Sequence, residues 1–200
     1  IGVGHGETVV GAVVIADTIK ESSVEAIRHL RSMGLTPVMA TGDHEVVARG
    51  IADQVGIETV FSSLTPEEKA GLITRLQAEG HQVAMVGDGI NDAPALATAD
   101  LGIAMGTGTD AAMSAGDITI VSGDLLSVSD GISLARRTLG TIRGNLFWAF
   151  AYNVAAIPLA VSALLNPLVA GLAMAFSSVF VVTNSLRLRR FRPTAAPHSE

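Results

Sequence analysis

Three short stretches bring together residue types that suit phosphoryl chemistry. Gly87-Asp88-Gly89-Ile90-Asn91-Asp92 places two carboxylates four residues apart beside glycines. Asp88 and Asp92 are hard oxygen donors of the kind Mg²⁺ takes, and Gly87 and Gly89 permit a tight turn with close backbone approach. Thr41-Gly42-Asp43 offers a hydroxyl and a backbone N–H, and Lys69, within Thr65-Pro66-Glu67-Glu68-Lys69, offers an ammonium. These groups suit the oxygens of a phosphoryl group. Taken singly, Thr-Gly-Asp is an ordinary turn and one lysine an ordinary solvated side chain. The Gly-Asp-Gly-Ile-Asn-Asp run is more specific, and the ordered set is stronger than any member.

A second group lies in residues 144–186, 43 residues without Asp, Glu, Lys, Arg or His. Tyr152 and Asn153 sit in its first part, and Met174, Ser177, Ser178, Thr183 and Asn184 in its second. Met174 shares a helix face with Ser177 and Ser178. A thioether beside oxygen donors suits a soft monovalent ion such as Cu(I). The small residues Gly171, Ala173 and Ala175 and the two serines equally suit helix–helix packing, so composition leaves both readings open. With no Cys there is no thiolate metal site and no disulfide, and His5, His29, His44 and His81 show no metal-ligand spacing.

The first group must be held by the elements around it. Strand-like runs at residues 9–16, 36–40, 59–62, 83–86, 101–104 and 118–121 alternate with helix-like segments at 23–34, 44–56, 66–80 and 91–99. Ser22 or Ser23 reads as the cap of the first helix and Gly34 as its stop. The alternation predicts an α/β, doubly wound parallel sheet, in which ligands bind at the carboxyl ends of the strands. Thr41-Gly42-Asp43 and the Gly-Asp-Gly run each follow directly on a predicted strand. Gly2, Gly4 and Gly6 precede no helix and read as a loop or hairpin.

The second group belongs to a physically different segment. Of the 200 residues, 13 are Lys or Arg and 19 are Asp or Glu, for a net charge of −6. Residues 1–135 hold 6 basic and 18 acidic side chains, whereas residues 136–200 hold 7 and 1. The acidic balance excludes the basic footprint of a nucleic-acid binder, and the 48% hydrophobic content excludes a disordered acidic tail. Asn166-Pro167 divides the uncharged run into pieces of 20 and 19 residues, 146–165 and 168–186. Each is about 30 Å long as a helix, the thickness of a hydrocarbon core. The reading is a transmembrane hairpin in a lipid bilayer, with residues 127–144 a helix leading into it; the alternative is a pair of buried soluble helices. Arg136, Arg137 and Arg143 before it, and Arg187, Arg189, Arg190 and Arg192 after it, place both ends in the cytoplasm. The expected organisation is 1–135 as the α/β part, 136–145 as a linking helix, 146–186 as two spans, and 187–200 as a tail, disordered from 193. The chain begins with Ile rather than Met and reads as a segment of a longer one.

The run MVGDGINDAPALATADLGIAMGTGTDAA at residues 85–112 resembles the hinge motif of P-type ATPases. MATGD, the Pro-Glu-Glu-Lys stretch and Ala16-Asp17-Thr18-Ile19-Lys20 match that family in the same order, and the likeness extends over residues 9–190. Two spans after the phosphorylation domain are similar to the heavy-metal-transporting subfamily. Tyr152-Asn153 and Met174-x-x-Ser177-Ser178 are similar to its copper(I) group. The resemblance implies a haloacid-dehalogenase-like sheet and a cell-membrane pump exporting Cu(I) with ATP and Mg²⁺ through an aspartyl-phosphate. It implies that Asp88 holds Mg²⁺ with Asp92 close behind, and that Thr41, Gly42, Lys69 and Asn91 hold the phosphoryl group. Asp43 would shape the site near the nucleotide phosphates and Asp17 the hinge toward a nucleotide-binding domain. Tyr152, Asn153, Met174 and Ser178 would help bind Cu(I), delivered by a cytoplasmic copper chaperone.

One departure is decisive for activity. Asp-Lys-Thr-Gly-Thr occurs nowhere in the sequence, and Asp17-Thr18-Ile19-Lys20 is not followed by Gly-Thr. The strand bearing that nucleophile would lie between those ending at Ala40 and Val86, so the sheet is expected to be incomplete there. The chain alone is expected neither to phosphorylate itself nor to pump. The rival readings are a pump for another soft or transition metal, a related phosphatase with a membrane hairpin, and a truncated, non-catalytic membrane partner.

Overall fold

Glycines, caps and apolar spacing set the boundaries of the first part of the molecule. The computed structural model describes residues 2–5, 8–12, 19–106, 109–162 and 166–194. The glycine-rich start forms an antiparallel hairpin of β1 (Gly2–His5) and β2 (Thr8–Ala12), the hairpin of the two sequence alternatives. The rest of the predicted 9–16 strand lies outside the described residues. Helix α1 (Glu21–Ser32) buries Ala26 and Ile27 and ends before Gly34 at φ +78°. It starts earlier than the serine-cap rule predicts. Lys20 is the cap residue and makes no side-chain cap, while Ser23 N–H already donates to Lys20 O at 2.9 Å. Glu21 in the first turn favours that start by complementing the helix dipole.

Strand β3 (Val38–Ala40), helix α2 (Glu45–Val55) and strand β4 (Thr59–Phe61) form a parallel βαβ unit. Ala48, Ala52 and Val55 give α2 its buried face. Helix α3 (Pro66–Ala78) carries a full capping box, Thr65 with Glu68, and Pro66 in its first turn. Strand β5 (Ala84–Gly87), helix α4 (Ala93–Thr98), strand β6 (Leu101–Met105), helix α5 (Asp110–Ala115) and strand β7 (Ile118–Ile120) follow. The periodicity reading passed over α5, a six-residue helix capped by Thr109. Strands β5, β6 and β7 are parallel neighbours, and Leu96, Ala104 and Ala112 are buried between them and α4 and α5. Strands β3 and β5 lie in different sheets. Among the described residues, the parallel sheet is therefore interrupted where the sequence predicted a missing central strand.

The chain divides into two units, Ile1–Gly123 and Asp124–Glu200. The second begins with Asp124, whose carboxylate accepts from Leu126 N–H at 3.0 Å and caps helix α6 (Leu125–Val161). At 37 residues, α6 is about 56 Å long. It fuses the predicted linking helix and the first apolar stretch into one element. Among the described residues, α6 is the helix long and apolar enough to cross a membrane by length and composition. Asn166 caps helix α7 (Pro167–Leu186), its side chain accepting from Leu168 N–H at 2.9 Å. Residues 163–165 and 195–200, within the first expected span and the expected tail, lie outside the described residues. A 3₁₀ turn, Arg187–Arg190, follows α7.

Candidate phosphoryl and metal sites

The capping box fixes the start of α3, and that start aims Lys69 at the loop after β5. Lys69 Nζ donates to Asp92 Oδ1 at 2.7 Å, with the two side chains only 14% and 13% exposed. Asp92 Oδ2 accepts from the backbone N–H groups of Asp88 (3.4 Å) and Gly89 (3.3 Å). Both carboxylate oxygens of Asp92 are thus engaged, so it organises the loop from behind. A Cβ on Gly87 would stand 2.7 Å from Asp92 Cβ, so only glycine lets the strand end pass this close. Asp88 is exposed, and its carbonyl accepts from Thr109 N–H at 2.9 Å, which ties the loop after β6 to the same place. Asn91 is exposed on the single turn Ile90–Asp92.

Thr41-Gly42-Asp43 follows β3 and is folded on itself. Thr41 Oγ1 donates to Asp43 Oδ2 at 3.0 Å and accepts from Asp43 N–H at 3.1 Å. Leu64 N–H donates to Thr41 O at 3.0 Å, and Ser63 N–H to Asp43 O at 2.7 Å. The turn is thereby joined to the residue next to Thr65, where the helix carrying Lys69 begins. Lys69, Asp92 and the Asp88–Gly89 backbone form one cluster, and Thr41 and Asp43 form another, linked through residues 63–65. Asp17 lies outside the described residues.

An acidic side chain at an exposed strand end suits Mg²⁺, which keeps its waters and takes one or two carboxylates with substrate phosphates. Asp88 fits that role by exposure and chemistry. Among the described residues no group of three or more His, Asp or Glu could hold a metal by itself.

In the second unit, the predicted soft-metal residues bond within their own helices. Asn153 Nδ2 donates to Ala149 O at 2.6 Å, and Ser178 Oγ to Met174 O at 3.2 Å. Met174 is 67% exposed. Tyr152 is half-buried. The helices are tied to each other nearer the arginines. Asn184 Nδ2 donates to Asn145 Oδ1 at 2.7 Å, and Asn145 Nδ2 donates to Ser185 Oγ at 3.1 Å. One turn along, Trp148 meets Phe180 edge-on at 6.3 Å. Asn145 and Ser185 were not singled out from the sequence; amides just inside the arginine flanks were the available signal.

Residues 3–100 match the haloacid dehalogenase-like hydrolase family, and residues 70–132 match a second family of the same description. A cation-transporting P-type ATPase B of Mycobacterium leprae is 57% identical over 199 residues, covering 95% of this chain and 26% of the relative. A probable copper-exporting P-type ATPase V of Mycobacterium tuberculosis is 57% identical over 189 residues, covering 94% of this chain and 24% of the relative. The crystal structure of a zinc-transporting PIB-type ATPase superposes with a TM-score of 0.80 at 36% identity, covering 87% of this chain and 28% of that one. The chain spans about a quarter of the length of the curated relatives it matches.

Proposed function

We propose that this chain belongs to the P-type ATPase family and serves a copper(I)-exporting pump of a cell membrane. It contributes the phosphoryl-holding half of the phosphorylation domain and the two spans that follow it. The observation that carries the reading is the enclosed Lys69–Asp92 pair beneath the Asp88–Gly89 loop. The pair holds a cation at a strand end beside a free-standing carboxylate.

In this reading ATP phosphorylates an aspartate that lies outside this sequence. Lys69 places positive charge where negative charge builds up on the transferring group, an effect strongest in an enclosed site. Thr41 exchanges its bond to Asp43 for one to a phosphoryl oxygen, and Gly42 N–H adds a second donor. Asn91 reaches the same group, and Asp43 faces the nucleotide phosphates. Asp88 would hold Mg²⁺, which supplies charge neutralisation when bound. Asp92 keeps Lys69 and the loop in register. Asp17 acts at the hinge toward the nucleotide-binding domain.

Copper is favoured over other metals by the thioether and by a neutral span. Met174, Ser178, Tyr152 and Asn153 supply soft and oxygen donors without a charged group in residues 144–186. The copper-exporting relative supports the same choice. α6 and α7 form a membrane hairpin with the arginine-rich ends cytoplasmic, where a copper chaperone would deliver the ion.

The test is metal-stimulated ATPase activity of the full-length protein in lipid, with Cu(I) under reducing conditions against Zn²⁺. Cu(I) stimulation that is lost in Asn153→Ala and Met174→Ala, with phosphorylation by inorganic phosphate intact in Met174→Ala, is the expected result. Stimulation by Zn²⁺ alone would leave the ATPase reading standing and overturn copper.

A further inference from the structure

The second unit is rich in arginine and poor in carboxylates, with seven arginines against Asp124 and Asp130 among its described residues. The Asn145–Asn184–Ser185 hydrogen bonds bring the start of the apolar part of α6 level with the end of α7. Arg143, two residues before Asn145, and Arg187, two residues after Ser185, are therefore at one level of the hairpin. In the 3₁₀ turn Arg187–Arg190, residues three apart eclipse each other, so Arg187 and Arg190 share a side with Arg189 beside them. The turn is anchored from below: Leu188 is half-buried, and Phe191 lies under the Arg137 guanidinium at 5.3 Å.

Arg143, Arg187, Arg189 and Arg190 are all exposed. The sequence holds no acidic residue between Asp130 and Glu200. Asp130 itself is 6% exposed and accepts from Thr194 N–H at 2.7 Å. Planar guanidinium groups match phosphate oxygens in pairs, and such clusters at the end of a membrane helix attract anionic head groups.

We propose that Arg143, Arg187, Arg189 and Arg190 form a binding site for the phosphate of an anionic phospholipid in the leaflet facing the arginine-rich ends. The proposal rests on the membrane reading of α6 and α7, and goes beyond it by assigning a ligand to that end of the hairpin. The lipid bridges α6 and α7 at the level of the amide cluster. It thus secures the pairing of the two helices on which the opposition of their polar residues depends.

The chain has one tryptophan, Trp148, a little over one turn beyond Arg143. It serves as the donor for energy transfer to acyl-labelled phosphatidylglycerol or acyl-labelled phosphatidylcholine in vesicles holding the full chain. The expected result is stronger transfer to phosphatidylglycerol, falling as salt is raised. Replacing Arg187, Arg189 and Arg190 together by Gln should weaken the preference on the order of 100-fold, about fivefold per arginine. The triple Lys variant should keep most of it. Equal transfer to both lipids in the wild-type chain, or an unchanged preference in the Gln variant, overturns the site. Loss of the preference on adding inorganic phosphate at matched ionic strength also overturns it, since the ligand would then be free phosphate. Alkaline carbonate extraction separates the two failures. A chain that washes off the vesicles sinks the membrane reading and the lipid site with it, whereas an embedded chain without the preference sinks the lipid site alone.

Discussion

The two units solve opposite solvent problems with the same chain. The first buries Ile27, Leu72, Leu96 and Ile103 in its core. The second leaves Phe147, Phe176 and Met174 66%, 73% and 67% exposed, as the proposed membrane reading of its helices requires. The polar contacts differ accordingly. The first unit encloses an ion pair, Lys69–Asp92 at 2.7 Å, whose remaining carboxylate oxygen accepts from two backbone amides. The second joins its helices with neutral amides and a hydroxyl. An enclosed ion pair holds charge ready for a phosphoryl group but needs every partner in place. Neutral groups can sit in a hairpin without that penalty, and each contributes less.

Breaking the pair in the first unit is the sharpest test of the contrast. Lys69→Ala leaves Asp92 enclosed with one of its three partners gone and Oδ1 bare, and should cost about 3 kcal/mol of stability in that unit. In the full-length protein it should lower phosphorylation on the order of 100-fold, the scale of losing one preorganised charge-stabilising donor. Asp92→Asn keeps an oxygen for the Asp88 and Gly89 amides, so its stability loss should be smaller. Urea unfolding and phosphoenzyme level check the two effects. A Lys69→Ala protein with wild-type phosphorylation would show that the pair is structural only.

How much of this was legible beforehand follows from the range of the interactions. Strand positions and the helix stop at Gly34 depend on neighbours within a few residues, and they were readable, whereas the equally local caps Thr65 and Asn166 were passed over. The interruption of the sheet was readable too, because the sequence lacks the strand that would fill it. The Lys69–Asp92 bond spans 23 positions and the Asn184–Asn145 bond 39, distances over which local patterning says nothing. Asp92 was placed near Mg²⁺ on residue type; its pairing to Lys69 could come only from geometry. The Ser22 or Ser23 cap failed because a serine is a permissive cap, and a residue with helix-compatible neighbours on both sides can be absorbed into the first turn. The short helix α5 escaped because six residues display less than two turns of periodicity.

The corresponding break in the second unit should be milder. Asn145→Ala removes the acceptor of Asn184 and the donor to Ser185. Bonds of this kind between membrane helices are worth about 0.6 kcal/mol on average, so the pair together should contribute about 1 kcal/mol. Asn184→Ala should cost less, since the bond to Ser185 remains. Helix-pair dissociation in graded detergent measures both. A loss from Asn145→Ala as large as that from Lys69→Ala would erase the distinction drawn between the two units.

The smallest effect lies at the edge of the first unit, where a charge is used without enclosure. Asp100 accepts from Val83 N–H at 2.8 Å and so pins the chain just ahead of β5 to the chain just ahead of β6. That amide, with Gln77 second, holds the Asp100 carboxyl below its ordinary value, against a weaker opposing push from desolvation. The ionised form is therefore the one the fold favours. Its contribution is fully present above the unfolded carboxyl pKa, near about 3.9, and disappears as the pH falls through the depressed folded value. Because the group is open to water, the effect should be slight and sensitive to salt. Hydrogen exchange at the Val83 amide, compared between the wild type and Asp100→Asn, should differ at neutral pH and converge in acid. Identical exchange across that range would mean that the bond adds nothing, and that in this unit a charge acts on the fold only where it is enclosed, as at Lys69 and Asp92.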